Sequence, residues 1–195
     1  MIYEKTNNFF IQKIYIINIE ESRFSFFANL CKDKKVLHVG CADALHFNID
    51  DNLHILLDGY ASELHGMDID ENDLNKLKQI CKSKYFSNLN DCDRKYDIIL
   101  VPEVLEHVFN AKEFLDQIFA ISFKELIITV PNIIHYGKEM IEEDNSFIEI
   151  VHPDHKYWFS PYTLYNIIKP YIKNENNCKM YYLENKSMVG IHIIN

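Results

Sequence analysis

Short apolar runs alternate along the chain with segments whose apolar residues recur at helical spacing. The runs are KVLHV at 35–39, YDIILV at 96–101 and ELIITV at 125–130. Continuous apolar strands of this length are typical of parallel sheets that are covered on both faces. Their alternation with helices predicts an α/β fold with an open, mostly parallel sheet.

Apolar spacing and capping signals place the helices between these strands. In the first helix, Phe24, Phe27 and Leu30 share one face, and prolines at 102 and 161 suit the first turns of two later helices. The predicted helices cover residues 19–32, 53–65, 71–82, 102–121 and 160–169.

The end of the chain, from 178 to 194, predicts two antiparallel strands joined around 184–187. Shorter strands are predicted before residue 68 and near 85–87. Together these elements predict a Rossmann-like, doubly wound, mostly parallel seven-stranded sheet with a C-terminal antiparallel hairpin. The chain has 195 residues and shows no internal repeat or linker. Residues 1–195 are therefore predicted as a single domain, with a helical lead-in at 1–34 and a loop region at 131–160.

The first apolar strand ends in the turn VGCADA at 39–44, and a second strand ends in the acidic segment HGMDID at 65–70. A strand that turns sharply into a helix, followed by such a second strand, is how α/β folds build a site for an adenosyl ligand. A dinucleotide fingerprint would read G-x-G-x-x-G, but Ala42 and Leu45 stand at the later positions. The glycine that lets the backbone approach a pyrophosphate is missing, so the turn favours an adenosyl ligand without phosphates.

Composition narrows the function classes further. There are 29 acidic against 20 basic residues, and the formal net charge is -9, so a surface that neutralises a nucleic-acid backbone is not expected. The five cysteines form no C-x-x-C pair, which argues against structural zinc or a disulfide framework and favours a reducing cytoplasm. Gln12 and Lys13 interrupt the apolar patch at 9–17, and no run approaches the ~20 apolar residues of a membrane span. We therefore expect a cytoplasmic protein with no membrane insertion.

Four segments in this order resemble the class I S-adenosylmethionine-dependent methyltransferases: VLHVGCADA, HGMDID, YDIILVPEVLEHV, and LIITVPN followed by HPDHKYWFSPYTL. The resemblance extends from about Lys35 to the terminal hairpin. It implies transfer of a methyl group from S-adenosyl-L-methionine to a small-molecule acceptor, with S-adenosyl-L-homocysteine as the product. A sugar or another surface-polysaccharide precursor is the candidate acceptor, the 131–160 loops lie on the acceptor side, and the enzyme is a monomer or homodimer.

The resemblance also implies which residues bind the cofactor. The turn from Gly40 to Asp43 would wrap the methionine part, and Asp68 would accept hydrogen bonds from both ribose hydroxyls. Ile69 would press on the adenine face. The full set is Gly40, Cys41, Ala42, Asp43, Asp68, Ile69, Asn88, Leu89, Pro102 and Glu103, of which Asn88 and Leu89 lie near the adenine edge and Pro102 and Glu103 close to the sulfonium.

The turn departs from the usual V-L-D-x-G-x-G-x-G pattern. His38 replaces the acidic residue, and Ala42 and Ala44 replace the later glycines, which predicts a reshaped turn or a weaker affinity. Two alternatives remain open. One is a non-catalytic cofactor-binding protein that regulates or scaffolds a partner enzyme. The other is an NAD-dependent oxidoreductase, which the missing glycines disfavour.

Histidines supply the candidate catalytic groups. A general base is needed only if the acceptor is a hydroxyl or a protonated amine, and the candidates are His107, His155 and His152. His107 follows Glu103 by four residues, which would place both on one helical face near the cofactor. The alternative is that His107 only packs its helix against a neighbour.

The segment from 151 to 164 has two interpretations as well. Its histidines and aromatic residues could line an acceptor pocket, or Trp158 and Phe159 could pack against the sheet while Ser160 caps the next helix. We expect a mixture, with Phe159 in the core. Together with His135, the segment could instead hold a divalent metal, but the spacing matches no metal motif and no metal site is assigned.

Overall fold

The structure is a computed structural model that describes residues 2–6, 9–42, 48–93, 95–136 and 152–195. Asp43, Ala44 and Leu45 of the first turn lie outside the described residues. The strands are β1 Ile2–Thr6, β2 Phe9–Lys13, β3 Ile16–Asn18, β4 Lys35–Val39, β5 Glu63–Met67, β6 Lys84–Phe86, β7 Lys95–Pro102, β8 Ser122–Pro131, β9 Cys178–Leu183 and β10 Met188–Ile194. The α-helices are α1 Arg23–Cys31, α2 Leu53–Leu57, α3 Glu71–Ile80, α4 Ala111–Phe119, α5 Ile133–Tyr136 and α6 Pro161–Ile168.

One sheet contains eight strands in the order β3-β9-β10-β8-β7-β4-β5-β6. The strands from β8 to β6 are parallel, and β10 runs antiparallel to both β8 and β9. This confirms the predicted doubly wound sheet with its antiparallel C-terminal hairpin. The sheet has one strand more than predicted, because β3 adds to the edge by parallel pairing with β9.

The order of the strands creates a crevice beside β4. From β4 the chain proceeds to β5 and β6 on one side, and then crosses to β7 on the other side. Open α/β sheets bind ligands at the carboxyl ends of the strands where the order reverses in this way. The topology therefore points to the ends of β4, β5 and β7 as the place for a site.

The central strands bury both faces, as their continuous apolar sequence predicts. In β7, Ile98 and Leu100 pack into a cluster with Phe27 of α1. Their neighbours Ile99 and Val101 pack into a second cluster, which includes apolar residues of α4 and α6. Residues adjacent in a strand point to opposite faces, so one apolar run supplies both layers of core.

The N-terminal segment differs from the predicted helical lead-in. Of the described residues up to 34, Arg23–Cys31 form the one helix, with Ser22 as its N-cap. The strands β1 and β2 form a separate antiparallel pair, and β3 joins the main sheet. Among the described residues, no helix combines the length and the apolar composition of a membrane span.

The predicted helix over 53–65 is too long. It ends at Leu57, and Leu64, which shares its helical spacing, lies in β5. The connection is held to the start of β4, because Asp33 N–H donates to Tyr60 O and Ser62 N–H donates to Lys34 O. Pairing with β4 thus overrides the local helical pattern.

The predicted helix over 102–121 is wrong in its first half. Residues 103–110 form turns, and α4 begins only at Ala111, where the Asn110 side chain caps it. Glu103 has a φ of 51°, which a right-handed helix excludes. The carbonyl of Glu106 accepts hydrogen bonds from the N–H groups of Lys156 and Tyr157. It therefore does not accept the hydrogen bond that a continuous helix would need. Glu103 and His107 therefore do not share a helical face.

Candidate active site

A cavity of about 510 Å³ opens at the carboxyl ends of the central strands. Gly40 and Cys41 line it after β4, Asp68 after β5, and Glu103 after β7. His152, Asp154 and His155 close it from the segment that precedes α6, and Arg23 reaches it from α1. The crevice predicted from the strand order is therefore a real cavity lined by polar side chains.

The turn after β4 packs closely against the backbone at the end of β5 and against the Val104 side chain. Gly40 has a φ of +76°, and a Cβ added there would lie 2.3 Å from Val104 Cγ2. Its N–H group and that of Cys41 both donate to Met67 O, at 2.8 and 3.3 Å. A side chain at this position would need a strained backbone and would displace Val104.

Cys41 and Ala42 occupy the buried underside of this turn, with 1% and 0% of their surface exposed. The Cys41 thiol fits against Gly66, where an added Cβ would lie 2.7 Å from its sulfur. Burial raises the pKa of the Cys41 thiol well above its ordinary value, so it stays protonated and unreactive. Its small side chain fills space under the turn.

Asp68 joins the turn to the end of β5. Its Oδ2 accepts a hydrogen bond from Ala42 N–H at 3.0 Å, and its Oδ1 accepts one from Asp70 N–H at 3.0 Å. Burial raises the pKa of this carboxyl group, and the hydrogen bonds from Asp70 and Ala42 oppose that rise. Each oxygen keeps a second lone pair for a ligand hydroxyl. Next to it, Ile69 lines the cavity and is 83% exposed.

Glu103 sits at the mouth of β7 in an ion pair that the sequence did not suggest. Arg23 Nη2 lies 2.8 Å from Glu103 Oε2, and Thr129 Oγ1 donates to Glu103 Oε1 at 3.1 Å. Arg23 is the first residue of α1, where the helix dipole disfavours a cation. The helix predicted over 19–32 places Arg23 in its interior, so no sequence signal singled out this residue.

His107, His152 and His155 come together in one wall of the cavity. The ring centroids lie 4.7 Å apart for His107 and His155, 5.3 Å for His107 and His152, and 5.4 Å for His152 and His155. His107 Nδ1 lies 3.3 Å from Asp154 Oδ2. Burial, together with the nearby His107 and His152, lowers the pKa of His155 to about 4, so its ring is neutral near pH 7.

Glu106 is a second residue that the sequence did not single out. It lines the cavity with only 1% of its surface exposed. Neither of its carboxyl oxygens has a hydrogen-bond partner among the described residues. Burial raises the pKa of this carboxyl group to about 9, so it is protonated near pH 7.

His38, which stands where the resemblance leads one to expect an acidic residue, is buried under the turn. Its Nδ1 lies 3.3 Å from Nδ1 of the equally buried His54. Burial lowers the pKa of His38 well below 6.5 and that of His54 to about 3. The pair is therefore uncharged at neutral pH.

The remaining predicted residues divide between the cavity and other places. Pro102 lines the cavity, whereas Leu89 is buried in the core and the Asn88 side chain accepts a hydrogen bond from Asn90 N–H. Neither Asn88 nor Leu89 is among the lining residues. Phe159 is 4% exposed, which confirms its place in the core, and Ser160 caps α6 as expected.

Solved structures share this architecture at low sequence identity. The chain matches the Pnkp1/Rnl/Hen1 RNA repair complex with a TM-score of 0.63 and 16% identity, covering 89% of this chain and 41% of that chain. It matches magnesium protoporphyrin IX methyltransferase from Synechocystis PCC 6803 with bound SAH with a TM-score of 0.58 and 13% identity, covering 88% and 81% of the two chains. It matches the N-methyltransferase NodS from Bradyrhizobium japonicum WM9 with a TM-score of 0.56 and 12% identity, covering 89% and 94%.

These matches show that the chain has the class I methyltransferase fold. No protein-family model matches the sequence, and no curated protein sequence matches it. The structural matches therefore establish the fold, whereas the activity depends on the residues of the site.

Proposed function

We propose that the protein transfers a methyl group from S-adenosyl-L-methionine to a small-molecule acceptor. The observation that carries the proposal is the bond between Asp68 and the N–H group of Ala42. It holds a carboxylate at the carboxyl end of β5, directly against the glycine turn that follows β4. An acidic residue in this place is suited to the two hydroxyls of an adenosyl ribose.

The charge of the cavity supports a sulfonium ligand. Its described lining includes one guanidinium group, which is paired with Glu103, and four further carboxylates, from Asp51, Asp68, Asp70 and Asp154. Glu106 adds no charge, because it is protonated. Such a lining repels the phosphates of a dinucleotide and favours a cation. This is a second argument against an NAD-dependent oxidoreductase, independent of the missing glycines.

The alanine in the turn is compatible with cofactor binding. Ala42 is not among the described residues with a positive φ, so its Cβ causes no backbone strain there. Its N–H group donates a hydrogen bond to Asp68 Oδ2. The replacement of a glycine at this position therefore does not by itself favour a non-catalytic protein.

When bound, S-adenosyl-L-methionine supplies a methyl group that its sulfonium already activates. The residues of the chain then need mainly to position the two reactants and exclude water. In the proposal, Asp68 holds the ribose, Ile69 covers the adenine, and Gly40 and Cys41 lie along the methionine part. Pro102 and Glu103 lie beside the sulfonium.

Transfer to a hydroxyl also requires removal of a proton. His107 is the best placed of the three candidate bases, because Asp154 accepts a hydrogen bond from its Nδ1 and thereby leaves Nε2 free to accept a proton. His155 and His152 would orient the acceptor. We propose a sugar or another polysaccharide precursor as the acceptor, since hydroxyl groups suit this polar wall.

Calorimetry with S-adenosyl-L-methionine and S-adenosyl-L-homocysteine tests the cofactor assignment. Asp68→Asn should weaken binding about 10- to 100-fold, because a charge-assisted hydrogen bond contributes about 1.5–3 kcal/mol. Asp116→Asn on α4, outside the cavity lining, is the matched control and should bind as the wild type does. Absence of binding at millimolar cofactor, or protection against heat by NAD(H) alone, would refute the proposal.

Release of S-adenosyl-L-homocysteine with a panel of sugar acceptors tests the transfer itself. His107→Gln should reduce turnover by about 10²-fold or more while cofactor affinity is unchanged. Cofactor binding without turnover on any acceptor would instead favour a regulatory or scaffold protein.

A further inference from the structure

The three histidines in the cavity wall form a nitrogen-rich cluster. One ring nitrogen from each of His107, His152 and His155 lies within 4.8 Å of the corresponding nitrogens of the other two. Three nitrogens bound to one tetrahedral zinc ion are about 3.3 Å apart. Small side-chain rotations would therefore bring all three onto one cation.

We propose that His107, His152 and His155 bind a divalent transition-metal cation. Zinc(II) is the ion used below to test the site. Imidazole nitrogens suit zinc, iron, nickel and copper, whereas magnesium and calcium prefer oxygen ligands. Three protein nitrogens with a fourth position open to the cavity are typical of zinc sites that act on a substrate.

Asp154 supplies the outer contact that metal-binding histidines usually have. Its Oδ2 lies 3.3 Å from His107 Nδ1, so that nitrogen donates a hydrogen bond and Nε2 is left as the ligand atom for a cation. Metal-bound histidines typically donate their second N–H to a carboxylate in this way. Asp154 N–H also donates to His152 Nδ1 at 3.2 Å, and a cation would compete with this bond for the imidazole lone pair.

Hydrogen bonds join the two segments that carry the histidines. Lys156 and Tyr157 N–H groups donate to Glu106 O at 2.7 and 3.2 Å, and Tyr157 Oη donates to Phe109 O at 2.9 Å. The bonded residues directly follow His155 on one segment and lie on both sides of His107 on the other. The cluster is thus held together without a metal, which lowers the entropy lost when one binds.

The buried carboxyl group of Glu106 is an independent observation that points to a ligand. It precedes His107, lines the same cavity, and has no partner for either oxygen among the described residues. A buried polar group without a partner is costly. A polar group bound in the cavity, such as an oxygen held by a cation at the three histidines, would supply the missing partner.

The other cluster of this kind does not support a metal site. Glu63, His65 and Asp93 also bring three ligand atoms together, but their charges are already paired. Lys35 lies 3.1 Å from Glu63 and 2.7 Å from Asp93, and Lys84 lies 2.6 Å from Asp93. A cation there would have to displace two lysines.

The position of the cation restricts the acceptor, and this step rests on the proposed function. A cation at the three histidines faces the same cavity as the turn after β4. A His107 that binds the cation through Nε2 cannot also act as the base, so the cation would take over that role. It would bind an oxygen of the acceptor and lower the pKa of a hydroxyl group there, and the proton would leave to solvent. The acceptor class would then be compounds that offer neighbouring oxygens, such as a vicinal diol.

The test uses the full chain, freed of metal with a chelator and titrated with zinc(II) by calorimetry. Wild type should bind one zinc ion per chain, and cobalt(II) should give the visible bands of nitrogen ligation. His107→Gln and His155→Gln should each lower zinc affinity by about 100-fold or more, and Asp154→Asn by about 10- to 100-fold. The exposed His135→Gln, outside the cluster, is the matched control and should leave affinity unchanged.

Several outcomes would overturn the proposal: no zinc binding at micromolar concentrations, equal affinity in the cluster variants, or loss of binding in Glu63→Gln. If a histidine variant does not fold, the zinc affinity of Asp154→Asn, which leaves the three ligands in place, tests the site instead. Cofactor binding without zinc binding would refute only the metal site. Zinc binding without cofactor binding would refute only the proposed function.

Discussion

At the scale of single residues, the site depends on groups whose environment changes their ordinary behaviour. Gly40 takes a backbone conformation that other residues avoid. Glu106 stays protonated because it is buried, and His38 and His54 stay neutral for the same reason. The sequence shows each residue type, but desolvation depends on neighbours that are distant in the chain.

Gly40→Ala should destabilise the protein by about 2 kcal/mol, because strained backbone and the clash with Val104 act together. Thermal or urea unfolding measures the change. Gly59→Ala is the control, since nothing lies within 4 Å of its added Cβ, and it should leave the free energy of unfolding nearly unchanged. Equal effects of the two substitutions would contradict the geometry of the turn.

The buried histidine pair should make the protein sensitive to acid. The folded-state pKa of His54 is about 3, below its ordinary value of 6.5, so the unfolded chain binds the proton more readily. The stability from this group is present above pH 6.5 and is lost as pH falls towards 3, by up to about 1.4 kcal/mol per pH unit. His54→Gln should flatten the dependence of unfolding free energy on pH in this range. The same slope in wild type and variant would refute the assignment, and His135→Gln serves as the exposed control.

At the scale of elements, the apolar pattern predicts the central strands well and the helix ends poorly. The strands β4, β7 and β8 lie where continuous apolar runs predict them. A short run of this kind is stable in water when both faces of the strand are buried, as they are in the centre of a parallel sheet. The first half of the helix predicted over 102–121 does not form, because the Glu106 carbonyl accepts hydrogen bonds from the N–H groups of Lys156 and Tyr157, 50 and 51 positions later. Helical propensity is a weak preference that such tertiary bonds override.

Asn110→Ala should show where α4 begins. The Asn110 side chain accepts a hydrogen bond from Glu113 N–H, and loss of such a cap costs about 1 kcal/mol. Denaturant unfolding measures this loss of unfolding free energy. The control is Asn110→Asp, which keeps the capping oxygen and should retain the stability of the wild type. If the helix instead began near Pro102, Asn110→Ala would lie in its interior and stabilise it.

At the scale of the whole molecule, the cavity is assembled from segments that are far apart in the chain. The turn after β4, the ends of β5 and β7, the start of α1 and the segment before α6 all contribute. The parallel order of the strands brings their carboxyl ends to one edge, which is the general reason that α/β sheets bind ligands there. The metal site proposed above joins two of these segments.

The ion pair between Arg23 and Glu103 connects α1 to this edge and can be measured by a double-mutant cycle. Both side chains are partly exposed, at 30% and 22%, so solvent screening limits their coupling to about 1 kcal/mol. Arg23→Gln and Glu103→Gln should each destabilise the protein, and the double variant should lose less than the sum. Simple additivity of the two effects would show that the pair is not coupled.

The sequence by itself determined the alternation of strands and helices, the antiparallel terminal hairpin, and the turn and carboxylate that define an adenosyl site. These features are local, since they depend on periodicity and on the residue types at a strand end. Only the tertiary structure decided that Arg23 meets Glu103, that Glu106 is buried without a partner, and that His107 joins His152 and His155 in place of His135. These contacts depend on the packing of distant segments, which no local pattern specifies.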